Sequence, residues 1–190
     1  MLIAVPAGVL DRISFDPPLP HEKAQALAAV RYGHAAKLFI PLSEPAPPSA
    51  TVSVPDRFWT FTQVTPGGAP LAVAASFAGS PMALERLDAA TGPNRWIDAV
   101  VRLRPDLALQ PGNAVLSTWD DDPWIGAAYS ARSRSSPMDD AALASSVDPL
   151  HFAGEHTAGA RHALMDGALS SGLRAAEEIL HPQAAGPRDA

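Results

Sequence analysis

One segment near the C-terminal end constrains the fold most, because a short apolar run leads through a glycine and an acid into a long helix. Residues 150–153 favour a strand, and Gly154 and Glu155 follow directly. Small and apolar side chains recur along one face of residues 161–181, which predicts the helix. A glycine at a strand end permits close approach of a ligand, and a helix start attracts negative charge. The segment therefore predicts a ligand site between a strand and a helix.

Hydrophobic patterning elsewhere mixes strands and helices without a regular βαβ alternation, which favours an α+β fold. Strands are predicted at residues 2–5, 36–42, 58–64, 71–78, 114–119 and 150–153. Helices are predicted at residues 21–30, 81–89, 94–103 and 161–181. The turn-rich sequence between 58–64 and 71–78 predicts a hairpin. The Pro/Ser-rich residues 44–54 predict an exposed loop, and residues 120–137 predict irregular structure.

Composition excludes several classes of protein. The 190 residues include 14 basic and 20 acidic side chains, a net charge of -6, which argues against a nucleic-acid partner. The absence of cysteine excludes disulfides, cysteine metal ligands and a flavin tethered to a cysteine of this chain. No segment reaches roughly 18 consecutive apolar residues, so we expect a soluble, cytoplasmic protein without a membrane partner. His156 and His162 lack a third ligand at suitable spacing, so we expect surface or loop histidines and no metal site.

The C-terminal segment resembles the flavin-binding signature of a known family. Residues 152–157 (Phe-Ala-Gly-Glu-His-Thr) and 167–176 (Gly-Ala-Leu-Ser-Ser-Gly-Leu-Arg-Ala-Ala) are similar to the signature of flavin-dependent amine oxidases. That family includes monoamine oxidases, polyamine oxidases and lysine-specific histone demethylases. The resemblance continues in order through residues 5–10, 15–20, 58–59 and 122–129. It implies most of a substrate domain, with a mixed sheet and helices, plus the C-terminal strand and helix of an FAD-binding domain.

The same resemblance implies a division of the chain into domains. Residues 1–10 correspond to a return segment of the FAD-binding domain, 11–120 to a partial substrate-binding domain and 121–181 to the C-terminal FAD-binding segment. Residues 182–190 are rich in Pro, Gly and Ala and predict a flexible tail.

One landmark of the family is absent from the sequence. In this family a Gly-x-Gly-x-x-Gly turn cradles the pyrophosphate of the dinucleotide, and this chain has no such pattern. Gly67 and Gly68 lie in a predicted turn between two strands, and no helix follows them. We therefore expect either a separate N-terminal FAD-binding polypeptide as a partner or a truncated reading frame.

The resemblance also assigns roles to individual residues. It implies that Lys37 is catalytic, holding a water near flavin N5 and acting on reoxidation by oxygen. It implies that Gly154 and Glu155 contact the ribityl–pyrophosphate region of FAD. Leu164 and Met165 lie beside the isoalloxazine ring in this register, with the Met165 N–H facing a flavin carbonyl. The other implied cofactor contacts are Val5, Trp119, Trp124 and Tyr129, and the last two serve either as substrate-side aromatics or as core side chains.

The activity implied by the resemblance is oxidation of a C–N bond of a small amine by FAD, with oxygen as acceptor. The products are an imine, which hydrolyses to an aldehyde, and hydrogen peroxide. Many amine-specific members carry an aromatic at the position of Leu164, and leucine offers an amine no ring face. Two alternatives stay open. One is a related FAD oxidoreductase with a non-amine substrate, and the other is a non-catalytic fragment or partner-binding subunit of the same fold.

Overall fold

A computed structural model describes residues 1–132 and 138–181, and its contacts divide them into two compact units. The first unit is Met1–Gly33 together with the described residues from Asp122 onward, and the second is His34–Asp121. These units differ from the predicted domains, because residues 11–33 belong to the first unit. The predicted flexible tail at 182–190 lies outside the described residues.

Strands and helices follow one another irregularly, as the α+β prediction requires. The strands are β1 (Leu2–Ile3), β2 (Arg31–Tyr32), β3 (Ala36–Pro41), β4 (Ser49–Ser53), β5 (Phe58–Val64), β6 (Pro70–Ala78), β7 (Val115–Thr118), β8 (Ser130–Ala131) and β9 (His151–Phe152). The helices are α1 (His21–Ala29), α2 (Pro81–Arg86), α3 (Asn94–Leu103), α4 (Asp140–Ala144) and α5 (Met165–Leu180). None of these helices is long and apolar enough to cross a membrane.

The second unit is built on a five-stranded sheet in the order β4-β5-β6-β3-β7. Every pairing in it is antiparallel, so the predicted mixed sheet is wrong for this unit. The predicted hairpin is confirmed, since β5 and β6 meet across a turn in which Thr65 N donates to Ala69 O. The predicted loop at 44–54 is wrong in part, because Ser49–Ser53 forms β4. As an edge strand, β4 tolerates the proline-rich sequence that precedes it.

The two faces of this sheet differ in character. Alternation along β3 buries Ala36, Leu38 and Ile40 and exposes Lys37 and Phe39. The buried face packs in one cluster with Leu87, directly after α2, and with Trp96 and Val100 of α3. Because Ser80 caps α2 through its hydroxyl and Pro81 fits the first helical position, the chain turns sharply after β6. Because both helices pack on this one face, the other face is left open around Lys37 within the second unit.

The first unit joins the two ends of the described chain. Strand β1 pairs in parallel with β9, placing Ile3 opposite Phe152, and β2 pairs with β8. Helix α5 buries its small residues Gly167, Ser171 and Ala175. The predicted helix at 161–181 begins later, at Met165, because Ala163 takes a positive φ of 63° that an α-helix excludes.

Candidate functional site

The predicted cofactor contacts of the first unit lie at the carboxyl ends of two parallel strands. Val5 follows β1, while Gly154 and Glu155 follow β9. These three residues line one cavity of about 240 Å³. The carboxyl ends of parallel strands commonly hold ligands. Further lining residues are Ala4, Pro6, Tyr32, Ile125, Ala127, Ala128, His156 and Ala168.

The carboxylate of Glu155 is held by three donors of this chain. Its Oε1 accepts from Ser130 N at 2.9 Å, and its Oε2 accepts from the Ser130 hydroxyl at 2.5 Å and from Ala163 N at 2.6 Å. The last bond restrains Ala163 in its left-handed conformation, which costs roughly 1 kcal/mol or more in an L-residue. Glu155 therefore links β8 to the residue that sets the start of α5, and its contact with a cofactor stays a prediction.

Replacing Glu155 with glutamine is expected to lower the free energy of unfolding by about 2 kcal/mol. The amide nitrogen of glutamine can only donate. In the place of either carboxylate oxygen it would face a donor of Ser130 or Ala163, and that hydrogen bond would be lost. Urea denaturation of the chain measures the effect. Glu177→Gln is the matched control, since Glu177 is exposed on α5 and makes no such bonds within the described residues. Equal stability of the two variants would contradict the positioning role.

The start of α5 presents an uncapped helix end. Leu164 at the N-cap has no side-chain oxygen to accept from the first N–H groups. Leu164 and Met165 are 53% and 91% exposed, so an apolar surface lies beside the positive end of the helix. Neither residue lines the cavity, whereas Ala168, one turn further on, does. Asp166, in the first turn, accepts from Gly167 N at 2.9 Å, which leaves the N–H groups of Met165 and Asp166 without a side-chain acceptor within the described residues. The arrangement suits an apolar group with hydrogen-bond acceptors along one edge.

Glycines allow α5 to approach the loop before it. Gly154 has a φ of 125°, and its N–H donates to the Ser171 hydroxyl at 2.9 Å. A Cβ built on Gly167 would lie 2.0 Å from the carbonyl oxygen of Arg161, which is far inside van der Waals contact. No larger residue fits this position without a backbone shift.

Replacing Gly167 with alanine is expected to destabilise the chain by about 2 kcal/mol. This destabilisation is opposite to the effect of helix propensity, which favours alanine over glycine by about 1 kcal/mol in a helix interior. Gly172→Ala is the matched control on the same helix, because a Cβ there meets nothing within 4 Å and should stabilise. Thermal denaturation of both variants provides the test, and a stabilising effect at both sites would refute the close approach at Gly167.

His156 lies in a turn, as predicted for a loop histidine, but it is not at the surface. It is only 3% exposed, because the turn Glu155–Thr157 carries its ring under Gly154 and against the cavity. Burial holds the pKa of His156 below its usual value, so the imidazole is neutral at pH 7. The sequence did not predict His156 as a site residue, although it lies within the signature at residues 152–157, next to Glu155.

The two aromatics predicted near the ligand lie at the surface of the first unit. Trp124 is 68% exposed, with the Arg12 guanidinium 5.6 Å from its ring centroid. Tyr129 is 37% exposed and accepts a hydrogen bond from Gly33 N at 2.8 Å through its backbone oxygen. Neither is a core side chain, so that alternative is wrong, and neither lines the cavity. Their contact with a ligand remains a prediction.

Lys37 lies in the second unit, on the open face of the sheet. Its strand neighbours are Phe77 on β6 and Ser117 on β7. The face around it is aromatic, with the ring centroids of Trp59 and Phe61 4.9 Å apart and those of Trp59 and Phe77 6.1 Å apart. A shallow cavity of about 250 Å³ runs across this face, and Lys37 is the one charged side chain among its lining residues. Trp119, directly after β7, is 49% exposed.

A further cavity lies elsewhere, in the second unit. It has a volume of about 590 Å³ and adjoins the hydrogen bond between His34 Nδ1 and Asp120 Oδ2 at 3.0 Å. None of the site residues predicted from the sequence lines it. Its size alone carries no chemical assignment. The candidate sites are therefore two, one at the strand ends of the first unit and, separately, one on the open face of the second.

A strand end, a close-approach glycine and an uncapped helix start are features that proteins binding an extended cofactor commonly combine. A family model described as flavin containing amine oxidoreductase matches residues 1–180. The chain therefore belongs to the flavin-containing amine oxidoreductase family.

Relatives of known identity are longer than this chain. It is 28% identical over 186 residues to Polyamine oxidase 4 of Oryza sativa subsp. japonica, covering 93% of this chain and 38% of the relative. It is 30% identical over 209 residues to Lysine-specific histone demethylase 1 homolog 2 of the same plant, covering 95% and 26%. The structure of cyclohexylamine oxidase from Brevibacterium oxydans IH-35A matches with a TM-score of 0.75 and 23% identity, over 96% of this chain and 43% of that one. This last match supports the fold alone.

Members of this family typically bind FAD, and the residues present fit the flavin side of that cofactor. The apolar Leu164 and Met165 beside an uncapped helix end suit a flat ring with a polar edge. The glycine-lined strand ends suit the chain that leads away from such a ring. For the adenine end and its pyrophosphate, the sequence contains no glycine-rich turn.

Proposed function

We propose that this chain is the flavin-contacting part of an FAD-dependent amine oxidase. In this proposal it oxidises a C–N bond of a small amine with oxygen as acceptor, giving an imine or aldehyde and hydrogen peroxide. A dinucleotide-binding part, in the same or in another polypeptide, completes it. The observation that carries the proposal is the meeting of Val5, Gly154 and Glu155 in one cavity at the carboxyl ends of β1 and β9.

When bound, FAD supplies the redox chemistry by accepting hydride equivalents from the carbon beside the amine nitrogen. Leu164 and Met165 offer an apolar surface for the ring, and the helix end stabilises negative charge at its edge. Gly154 permits close approach of the backbone, while Glu155 fixes the geometry of the helix start. This chain thus contributes positioning and electrostatics.

Lys37 and its aromatic surroundings support the substrate half of the proposal. A single ammonium group on an otherwise uncharged aromatic face can hold a water and favour electron transfer to oxygen. Trp59, Phe61 and Phe77 offer apolar surface to the hydrocarbon part of an amine. The family's relatives differ widely in substrate, and this face provides the means to discriminate among amines.

The exposed face of α5 supports the need for a completing part, in the same or in another polypeptide. Leu169, Leu173 and Leu180 are 68%, 60% and 71% exposed, and together with Met165 they form an apolar stripe. Such a stripe typically marks an interaction surface. The same observation favours the alternative of a non-catalytic, partner-binding subunit.

A visible spectrum of the purified chain with added FAD tests the proposal, in the presence and absence of a dinucleotide-binding half. The half can be taken from Polyamine oxidase 4 of Oryza sativa, as the part that this chain does not match. We expect flavin bands that survive desalting and bleach when an amine is added without oxygen, followed by amine-dependent hydrogen peroxide in air. A retained flavin that no amine bleaches would favour a non-amine substrate. Flavin lost under both conditions would favour the non-catalytic alternative.

A further inference from the structure

The shallow cavity on the open face of the second unit is a groove that runs along β6. Ala75, on this strand, pairs with Phe39 of β3 on one side and with Phe61 of β5 on the other. All three residues line the cavity, and Ala75 is only 7% exposed although it lies on the open face. Paired strands lie about 4.8 Å apart, so the strands that carry the two rings are about 9.5 Å from each other. The methyl group of Ala75 is thus the floor between two aromatic walls, and the gap admits one hydrocarbon chain.

The two ends of this groove differ in charge. Lys37 and Phe77 pair with each other at one end. Gln63 lies at the other end, four residues beyond Trp59 along β5 and about 14 Å from it in an extended strand. Lys37 is the one cation among the described residues that line the groove, and none of them is a carboxylate. In the proposed function Lys37 marks the end at which the C–N bond is oxidised, so the rest of the substrate extends towards Gln63.

A second ammonium group on the substrate would find no counter-charge in such a groove. Removing a charge from water without a partner costs free energy, whereas aliphatic carbon gains free energy by leaving water. We infer that the groove above Ala75 binds the hydrocarbon tail of a monoamine and selects against diamines and polyamines. The inference rests on the proposed function for the identity of the reacting group. Ala75 admits the tail, and Gln63 is the neutral end that gives a second ammonium group no ion pair.

Titration of the isotope-labelled chain with n-octylamine and with diaminooctane, which carries a second amino group at the far end of the same chain, tests this inference. NMR reports binding through the indole N–H of Trp59, a signal that Trp59→Phe assigns. We expect n-octylamine to bind about tenfold more tightly, because each methylene that the distal ammonium keeps in water forfeits about fourfold in affinity. Equal affinities, tighter binding of diaminooctane, or no saturable shift of the Trp59 signal would overturn the inference.

Two substitutions separate the shape of the groove from its charge. Ala75→Leu fills the floor and should weaken binding of n-octylamine about fourfold, the contribution of one buried methylene. Gln63→Glu introduces a carboxylate of the same size and should strengthen binding of diaminooctane about threefold, the effect of a partly exposed ion pair. Ala50→Leu is the control and should leave both affinities unchanged, since Ala50 is exposed on β4 opposite Phe61 and lies outside the groove lining.

The outcome for each variant decides the inference independently of oxidase activity. Circular dichroism verifies that Ala75→Leu folds, and where it does not, the wild-type comparison and Gln63→Glu decide. Undiminished binding of n-octylamine in folded Ala75→Leu, or an unchanged affinity for diaminooctane in Gln63→Glu, would overturn the inference. Binding to the groove requires neither flavin nor oxygen, so a chain that prefers n-octylamine but oxidises no amine would contradict the proposed function alone. A larger kcat/KM for diaminooctane than for n-octylamine would overturn this inference and leave the proposed function standing.

Discussion

Replacing Lys37 with methionine is expected to slow the reaction of the reduced flavin with oxygen about a hundredfold, the size of effect that follows removal of one preorganised electrostatic group from an active site. The rate refers to the complex of this chain with FAD and a dinucleotide-binding half. The stability of the chain should stay unchanged. Lys37 is exposed on the aromatic face and is the one charged side chain lining its cavity. Methionine keeps a similar stem against Phe77 while removing the ammonium group. Stopped-flow absorbance of reduced complex mixed with oxygenated buffer measures the rate.

Two controls separate charge from packing in this experiment. Lys37→Arg preserves the positive charge and should retain more of the rate than methionine, although its planar fork holds a water differently. Thermal denaturation of the Lys37→Met chain should match the wild type. An oxygen reaction as fast in Lys37→Met as in the wild type would remove Lys37 from the catalytic role that the family resemblance assigns to it.

The sequence predicted those helices and strands in which hydrophobic residues repeat with a clear period. Residues 94–103 were predicted as a helix, and α3 spans Asn94–Leu103, because its apolar positions repeat with the helical period. The strand predicted at residues 36–42 corresponds to β3 (Ala36–Pro41), and the structure shows that the strand neighbours of Lys37 lie on the buried side. Helix α4 has only five residues, too few for a periodic signal, and its cap by Asp139 becomes visible only in the structure. Strand β4 was missed because its pairing with β5 outweighs a loop-like composition.

The candidate site was predictable only where its residues are adjacent in sequence. Gly154 and Glu155 follow one another, so the strand–turn–helix pattern reveals them. That Val5 joins them depends on the parallel pairing of β1 with β9, about 150 residues apart in the chain, which no local pattern encodes. The engagement of Glu155 by Ser130 and Ala163, and the burial of His156, likewise depend on tertiary packing.

The chain has two lysines, and Lys23, unlike the exposed Lys37, is buried and has a structural role. Lys23, on α1, is 2% exposed, and its Nζ lies 3.7 Å from the ring centroid of Phe152. The Nζ donates to the carbonyl oxygens of Ala142, Leu143 and Ser145 at 2.9, 2.8 and 2.8 Å, closing the C-terminal end of α4. A cation is stabilising at this end of a helix, and here it also ties α1 to α4 beneath the strand that leads to the site.

Lys23→Met is therefore expected to lower the free energy of unfolding by about 3 kcal/mol, because buried carbonyls lose their donor. The matched variant Lys37→Met, at the exposed lysine, should change it little. Urea denaturation of both variants measures the difference. A small effect at Lys23 would show that water or a shifted backbone satisfies the carbonyls.

The pH dependence of this difference gives an independent test. Burial, aided by the charge of Arg174, lowers the pKa of Lys23 from its ordinary value of 10.5 to about 8. Between these values the unfolded chain binds a proton that the folded chain has released, so the stability of the wild type rises with pH across this window. Lys23→Met lacks this group, while the other titrating groups are common to both proteins and cancel. The stability difference between wild type and variant should therefore widen from pH 8 towards 10.5, and a constant difference would mean that the folded Lys23 keeps its ordinary pKa despite its burial.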